Sequence, residues 1–287
     1  MKYFIVMVLF LLPVILLYER QKPRAREVVL LSLLTAFTVF LNMLCAATIP
    51  LHAGTTTVVL SGIAFGPGAG FIVGVCARFV CNLFAGQGPW TVWQMLSWSM
   101  LGLFAGAAFC KDDIRLNSTL VENKGGIFEK IRKSGAVFIP MAGVFAGWLV
   151  GYLEYLFTTA GAESFFGYRL YLYGGIGLAA GVILSGRKLP TNAITVTTFT
   201  FFMTFIVYGG VMNFAAMLMQ QGSGGADAVS AETLRALYIT GVPYDLSHAG
   251  GAAVCAYIMG EPFLRRMKRI KIKYLWQKHC SRMEDAK

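Results

Sequence analysis

The chain has 287 residues and a formal net charge of +11, yet only 14% of its side chains are charged, against about a quarter in soluble domains. Hydrophobic residues supply 56% of the chain, and 32 glycines enlarge the apolar fraction further. This composition excludes a soluble globular enzyme and also a disordered chain, because disorder requires low hydrophobicity and high charge; it predicts a membrane protein.

Apolar runs recur along the chain and predict membrane helices at 3–18, 27–46, 55–65, 67–85, 91–110, 134–157, 168–186, 191–220 and 235–260. A helix needs about 20 apolar residues to cross the hydrocarbon layer, so the run 55–65 predicts only half a span. It ends at Gly66 and Pro67, which predict a tight turn between two membrane segments. The run 3–18 lacks a small-residue cleavage site after it and is expected to be retained as a helix.

The basic residues predict how these helices are oriented. Most of the 25 lysines and arginines fall in four clusters next to apolar runs: Arg20 to Arg26, Lys111 to Lys133, Arg187 to Lys188, and Arg265 to Lys287. Because Lys and Arg mark the cytoplasmic ends of membrane helices, the clusters and the C-terminus are predicted to be cytoplasmic, in a multi-pass protein of the cell membrane. The positive charge therefore indicates topology and contact with membrane lipids, and no nucleic acid partner is predicted.

Glycine and cysteine positions predict packing rather than chemistry. Glycines four residues apart, such as Gly70 and Gly74 or Gly102 and Gly106, share one helix face and let helix backbones approach closely. The six cysteines lie mostly inside apolar runs, without CxxC pairs or a histidine at zinc-ligand spacing. We therefore predict no disulfide, no metal site and no cofactor.

Charged residues inside apolar runs are costly, so they usually face a partner or an internal cavity. Three such residues stand out, namely Arg78, Glu154 and Asp245. His248 follows Asp245 by three residues, which places both on one helix face. A buried guanidinium without a counter-charge is severely penalised, and we therefore predict an internal ion pair of Arg78 with Glu154 or Asp245.

A polar and aromatic segment lies between the runs 67–85 and 91–110, and it is predicted to reach the outer side of the membrane. Tryptophan also favours membrane interfaces and Gly-Pro favours turns, so a purely structural role is the alternative. Aromatic walls with a few polar groups are typical of small-molecule pockets. The predicted ligand-binding residues are Asn82, Gln87, Trp90, Trp93, Gln94, Asp245 and His248.

Enzymatic activity is the main alternative function. Asp245 and His248 have the chemistry for acid–base catalysis, which leaves an intramembrane enzyme as one alternative. The sequence has no GxSxG or HExxH motif and no cluster of acidic metal ligands, so we predict no catalytic residues. It also lacks a nucleotide-binding motif, which means that ATP-driven work would need other subunits. A secondary carrier that works alone is the second alternative, although two matching halves with broken helices are not apparent.

Three stretches resemble the S components of energy-coupling factor (ECF) transporters: LSGIAFGPGAGF at 60–71, NLFAGQGPWTVWQM at 82–95 and GVPYDLSHA at 241–249. The resemblance implies a bundle that captures a vitamin or related micronutrient at its outer side, with cobalamin-like cargo favoured. It also implies docking on a transmembrane coupling subunit and two ATPase subunits. The family's docking helix commonly carries Ala-x-x-x-Ala, whereas the run 27–46 has only Ser32 and Ala36 at that spacing.

The resemblance also implies a division of the chain. The fold class is an all-α polytopic membrane bundle with a six-helix core and about three extra helices. The expected segments are an accessory helix and basic linker at 1–26, the first four core helices at 27–110, a basic cytoplasmic loop at 111–133, an inserted helix pair at 134–190, the last two core helices at 191–264, and a basic cytoplasmic tail at 265–287.

Overall fold

A computed structural model describes residues 25–48, 51–109, 127–158, 165–185, 189–221 and 231–284, together with Leu12 and Leu16. The rest of the predicted helix 3–18 lies outside the described residues. The described residues form no β-strand, and their helices are α1 (Ala25–Thr48), α2 (Ala53–Phe65), α3 (Pro67–Ala85), α4 (Trp90–Ala108), α5 (Ile127–Thr158), α6 (Tyr168–Ser185), α7 (Ala193–Met203), α8 (Gly210–Gln221) and α9 (Ala231–Glu284). A π-helical segment, Thr204–Gly209, joins α7 to α8. The predicted all-α bundle is confirmed.

Helix lengths agree with a multi-pass membrane protein. Four stretches are long and apolar enough to cross a membrane: Ala25–Cys45, Pro67–Ala85, Phe138–Thr158 and Ala193–Met219. Helix α2 has 13 residues and is about 20 Å long, which confirms the predicted half-span because the hydrocarbon layer is about 30 Å thick. Helix α9 has 54 residues, so most of the predicted tail 265–287 continues the same helix.

Helix α2 lies at the centre of the bundle, in contact with α1, α3, α4 and α9. These neighbours bury every residue from Ala53 to Gly62. The helix ends at Gly66, whose φ of 95° lies in the left-handed region that glycine adopts without strain. Pro67 then begins α3, at a position where its missing N–H leaves no hydrogen bond unmade. The predicted turn between α2 and α3 is confirmed.

Glycines bring neighbouring helices into backbone contact. A Cβ atom added to Gly102 of α4 would lie 2.2 Å from the carbonyl oxygen of Gly70 on α3. A Cβ atom on Gly62 of α2 would lie 2.2 Å from the carbonyl oxygen of Gly102. The pair α5 and α6 is built in the same way, since a Cβ atom on Gly177 would lie 2.1 Å from the carbonyl oxygen of Gly143. The predicted close packing of small residues is confirmed.

The α5–α6 pair joins the other helices through an aromatic contact. The ring of Tyr171 on α6 stacks on Phe205 of the π-helical segment, with ring centroids 4.9 Å apart. It meets the ring of Tyr238 on α9 edge to face at 5.0 Å. Val144, Ile206 and Ala249 are buried in the same cluster. The pair therefore packs directly on the helices that carry Asp245 and His248.

Candidate functional site

Four polar side chains of α3 and α4 form a network that we call the amide network: Arg78, Asn82, Thr91 and Gln94. The Gln94 side-chain oxygen accepts hydrogen bonds from Arg78 Nε at 2.9 Å, from Arg78 Nη2 at 2.7 Å and from Asn82 Nδ2 at 2.9 Å. Asn82 Nδ2 also lies 3.1 Å from the hydroxyl of Thr91. The amide oxygen of Gln94 is thus fully used, whereas its amide nitrogen has no hydrogen-bond partner in the described part of the chain.

The Arg78 guanidinium is held by neutral groups. Besides Gln94, it lies over the ring of Trp98, with Cζ 5.2 Å from the ring centroid. A cation over an indole face is stabilised by the ring quadrupole. Within the described ranges, no carboxylate lies within 4.0 Å of Arg78.

The predicted ion pair of Arg78 with Glu154 or Asp245 was wrong. Glu154 Oε2 instead accepts a hydrogen bond from Nε of Arg169 at 2.7 Å, between α5 and α6. Asp245 is bonded by neutral donors. The physical reason is that a guanidinium can be stabilised by an amide oxygen and an aromatic face as well as by a carboxylate.

Asp245 belongs to a second set of contacts, which we call the Asp245 network. Its Oδ2 accepts a hydrogen bond from the Tyr171 hydroxyl at 2.5 Å and another from Asn213 Nδ2 at 2.7 Å. Gly209 lies against this carboxylate, because a Cβ atom there would sit 2.7 Å from Oδ2. The Oδ1 atom has no hydrogen-bond partner among the described residues. Helices α6, α8 and α9 thus meet at one buried carboxylate, of which one oxygen remains available to a ligand.

His248 and His52 form a pair of rings in contact beside α2, tilted by 36° to each other. Their ring centroids are 3.9 Å apart, and Nε2 of His248 lies 3.0 Å from the hydroxyl of Thr55. Tyr208 of the π-helical segment meets His248 edge to face at 4.4 Å. Burial lowers the pKa of His52, which precedes α2, and the charge of Arg78 lowers this pKa further. Both effects favour the neutral form of the His52 imidazole.

The amide network and the histidine pair lie in one region of the bundle. The positive charge of Arg78 acts on His52, and His52 and Tyr208 both contact the ring of His248. Trp93 faces the same helices from α4, since its ring meets Phe214 of α8 edge to face at 6.3 Å. We call this region the polar core; it consists of the amide network, the Asp245 network, the histidine pair, Trp93 and Tyr208.

Two buried polar atoms of the polar core lack partners. Nε1 of Trp93 and Nδ1 of His248 are shielded from solvent and make no hydrogen bond to the described residues. His248 is only 3% exposed. An unsatisfied buried donor or acceptor costs about 1–3 kcal/mol, so such atoms are usually paired with water or with a ligand. The polar core therefore has hydrogen-bonding capacity that the described chain does not use.

Two of the predicted ligand-binding residues lie at the surface. Trp90, at the start of α4, is 41% exposed. Gln87 is also exposed, and it donates from Nε2 to the carbonyl oxygen of Phe79 and accepts from the hydroxyl of Thr91. Gln87 thus touches the amide network from outside. The other five predicted residues, Asn82, Trp93, Gln94, Asp245 and His248, lie in the polar core.

Several residues of the polar core were missed in the sequence. Asn213 lies within the apolar run 191–220, so the criterion that selected Asn82 would have selected it as well. Thr55 is one of three consecutive threonines in a half-length span, which is an unusual run for a buried segment. Tyr171 and Tyr208 carry no comparable signal, because tyrosine is common in membrane helices.

The geometry does not support an Asp245–His248 catalytic dyad. Neither residue hydrogen-bonds the other: the carboxylate is held by Tyr171 and Asn213, and the imidazole contacts Thr55. In the part of the chain that is described, no group of three or more His, Cys, Asp or Glu residues is placed to hold a metal ion. What the polar core offers is a set of aromatic walls with a few convergent polar groups, which suits the binding of a small molecule.

Comparison with known proteins gives a family match. Residues 22–133 match the family described as ECF-type riboflavin transporter, S component. This segment contains α1 to α4 and the whole amide network, so the predicted resemblance to S components is confirmed there. The matched family is a family of transporter components.

More distant similarity extends to UPF0397 proteins. The chain is 32% identical over 125 residues to a UPF0397 protein of Vibrio atlanticus, and 31% identical over 125 residues to one of Aliivibrio salmonicida. A UPF0397 protein of Aliivibrio fischeri is 32% identical over the same length. Each match covers 41% of this chain and 62% of the relative. No solved structure matches the chain.

Proposed function

We propose that this chain, whose residues 22–133 match the riboflavin transporter S-component family, is the substrate-capture subunit of an ECF-type importer. One observation carries the proposal: among the described residues, the polar core buries Trp93 Nε1 and His248 Nδ1 without partners, beside the Arg78 guanidinium, which has no carboxylate within 4.0 Å there. A bound solute would supply the missing hydrogen bonds and gain the aromatic contacts. The described residues of the polar core form no catalytic constellation, and we therefore infer binding rather than turnover.

The proposed ligand is a vitamin or related micronutrient. A flat or ring-shaped solute with several acceptor atoms would fit the donors that remain available, namely the Gln94 amide nitrogen and the Trp93 indole. A donor on the same solute would fit Asp245 Oδ1. The description of the matched family names riboflavin, whereas the Gly-Pro-Trp motif at 88–90 favours cobalamin-like cargo. Both belong in the first binding test.

Direct binding tests this proposal. The purified chain, without other subunits, is titrated with labelled cobalamin, riboflavin, folate, thiamine and biotin, and we expect one of them to bind at a single site. Binding by the isolated chain and ATP-independent retention are expected, because capture precedes transport in this scheme. The absence of binding to every compound would contradict the proposal, and turnover of a ligand without ATP would favour the enzyme alternative.

The proposed partners are a transmembrane coupling subunit and two ATPase subunits. Helix α1 offers a docking surface for the coupling subunit, since a groove of about 850 Å³ runs between α1 and α3. Ser32 and Ala36 lie in its wall one helical turn apart, and Cys76 and Ile72 face them from α3. Small residues at this spacing allow another helix to approach closely. The proposed topology places the C-terminal end of α9 in the cytoplasm, where the ATPases would lie.

The variant Ala36→Trp tests this docking surface. The indole would fill the groove, so we expect ATP-dependent uptake in cells with all subunits to fall by at least about tenfold, while ligand binding by the purified chain is unchanged. The control is Ile194→Trp, which places the same side chain at a position of α7 that is 71% exposed. Equal uptake by the Ala36 variant and the wild type would exclude this groove as the docking surface.

A further inference from the structure

A second cavity lies where α4 and α6 end and α7 begins. Its volume is about 280 Å³, and its walls come from α4, α5, α6 and α7. Most of the lining is apolar, with Val144, Leu178, Phe199 and Phe202 among its members. Val182 also lines it and is 46% exposed, so the cavity opens at the surface of the bundle. In a membrane protein, this opening faces the lipid.

A buried hydroxyl without a partner distinguishes this cavity from an ordinary groove. Ser185 lines it, is only 9% exposed, and its Oγ is buried without a hydrogen-bond partner in the described ranges. Thr197 and Thr204 also have buried hydroxyls without a partner among the described residues, but of these three residues only Ser185 lines the cavity. Because an unsatisfied buried hydroxyl is costly, the position of Ser185 indicates an acceptor supplied from outside the chain.

We propose that this cavity binds one acyl chain of a membrane phospholipid, with the ester carbonyl oxygen accepting a hydrogen bond from Ser185. Ser185 is the last residue of α6, so it lies near the level where the ester groups of a bilayer begin. Leu178 lies seven residues, or two turns, before Ser185 on α6, and this length of helix spans about 10 Å. The hydroxyl is therefore at the shallow end of the cavity, and apolar walls continue toward the bilayer centre.

The chemistry of the lining favours an acyl chain over the micronutrient. Small-molecule sites use several precisely placed polar groups, whereas the described lining of this cavity has the hydroxyls of Ser185, Thr195 and Thr198 among apolar walls and no charged or amide side chain. The ester end of the cavity is separated from the Asp245 network, because Tyr171 and Ser185 are 14 residues apart on the same helix, which corresponds to about 21 Å. The inner end of the cavity, at Val144, reaches the buried cluster that contains Tyr171.

Native mass spectrometry of the full chain tests the proposal. The protein is purified in detergent and titrated with 1-palmitoyl-2-oleoyl-phosphatidylglycerol, and we expect one lipid molecule to stay bound at a detergent excess that removes the others. The variant Leu178→Trp fills the cavity and is expected to weaken this binding by at least about tenfold. Leu184→Trp is the matched control, because Leu184 is 78% exposed on the same helix, and it is expected to retain the lipid.

A milder variant keeps the test valid if Leu178→Trp does not fold. Ser185→Ala removes only the hydroxyl, and one hydrogen bond corresponds to about two- to tenfold in affinity. Retention of the lipid by Leu178→Trp, equal affinity in Ser185→Ala, or tight binding of oleic acid but not of the phospholipid would each overturn the assignment. Unchanged micronutrient binding in both variants is expected, which separates this result from a failure of the proposed function.

Discussion

Replacing Trp93 with alanine is expected to weaken micronutrient binding by about thirtyfold, which corresponds to about 2 kcal/mol. The indole is a wall of the polar core against Phe214, and its buried Nε1 has no partner in the described chain. Truncation removes the aromatic surface and a free donor together. Isothermal titration of the purified variant with the ligand identified for the wild type measures the change.

Trp90→Ala is the matched comparison for this experiment. Both side chains are indoles of α4, three residues apart, but Trp90 is 41% exposed. We expect its replacement to lower the affinity by less than about threefold. Asp245→Ala should weaken binding as well, and its stability is measured alongside because it leaves the donors of Tyr171 and Asn213 without an acceptor. If Trp93→Ala bound the ligand with wild-type affinity, the polar core would not be the binding site.

The variant Gly102→Ala is expected to destabilise the bundle by about 3 kcal/mol or more, at the upper end of overpacking effects. The added methyl group would lie 2.2 Å from the carbonyl oxygen of Gly70, and a backbone atom cannot move aside as a side chain can. Helices α3 and α4 would have to separate, which would also strain the amide network between them. Thermal unfolding of the purified protein, followed by fluorescence in one detergent, measures the loss.

Gly250→Ala on α9 provides the control, because a Cβ atom there would meet nothing within 4 Å. Alanine has a higher helix propensity than glycine by about 1 kcal/mol, so this variant is expected to be as stable as the wild type or slightly more stable. If both variants unfolded at the same temperature as the wild type, the close contact between α3 and α4 would not exist in the membrane protein. Loss of stability in both would instead point to a general intolerance of substitution.

Hydropathy predicted the positions of the helices well, because the same property drives insertion into lipid. The predicted runs 67–85 and 168–186 differ from α3 and α6 by one residue at most. The half-length of α2 was also predictable, since Gly66 and Pro67 mark its end. The π-helical segment was not predicted. The segment Thr204–Gly209 is apolar apart from Thr204 and Tyr208, and such a short stretch gives no sign of how many residues make up each turn.

The residues of the candidate site were predicted from two signals. Asn82, Asp245 and His248 interrupt apolar runs, whereas Trp93 and Gln94 belong to the polar and aromatic segment that joins two runs, and all five lie in the polar core. The partner of Arg78 was predicted incorrectly, because sequence spacing gives the face of a helix but not which neighbouring helix it meets. Gln94 and Trp98, which hold the guanidinium, lie on α4, and the glycine contacts determine how α4 approaches α3.

The π-helical segment fixes the rotational register of everything that follows it in α8. A π turn contains about one residue more than an α turn, and each residue of an α-helix corresponds to a rotation of about 100°. Shortening Thr204–Gly209 by one residue would turn the side chain of Asn213 about a quarter of the way around its helix, away from Asp245. The deletion of one codon would thus decide whether Asn213 of α8 hydrogen-bonds to Asp245, although the composition and hydropathy of α8 would be unchanged.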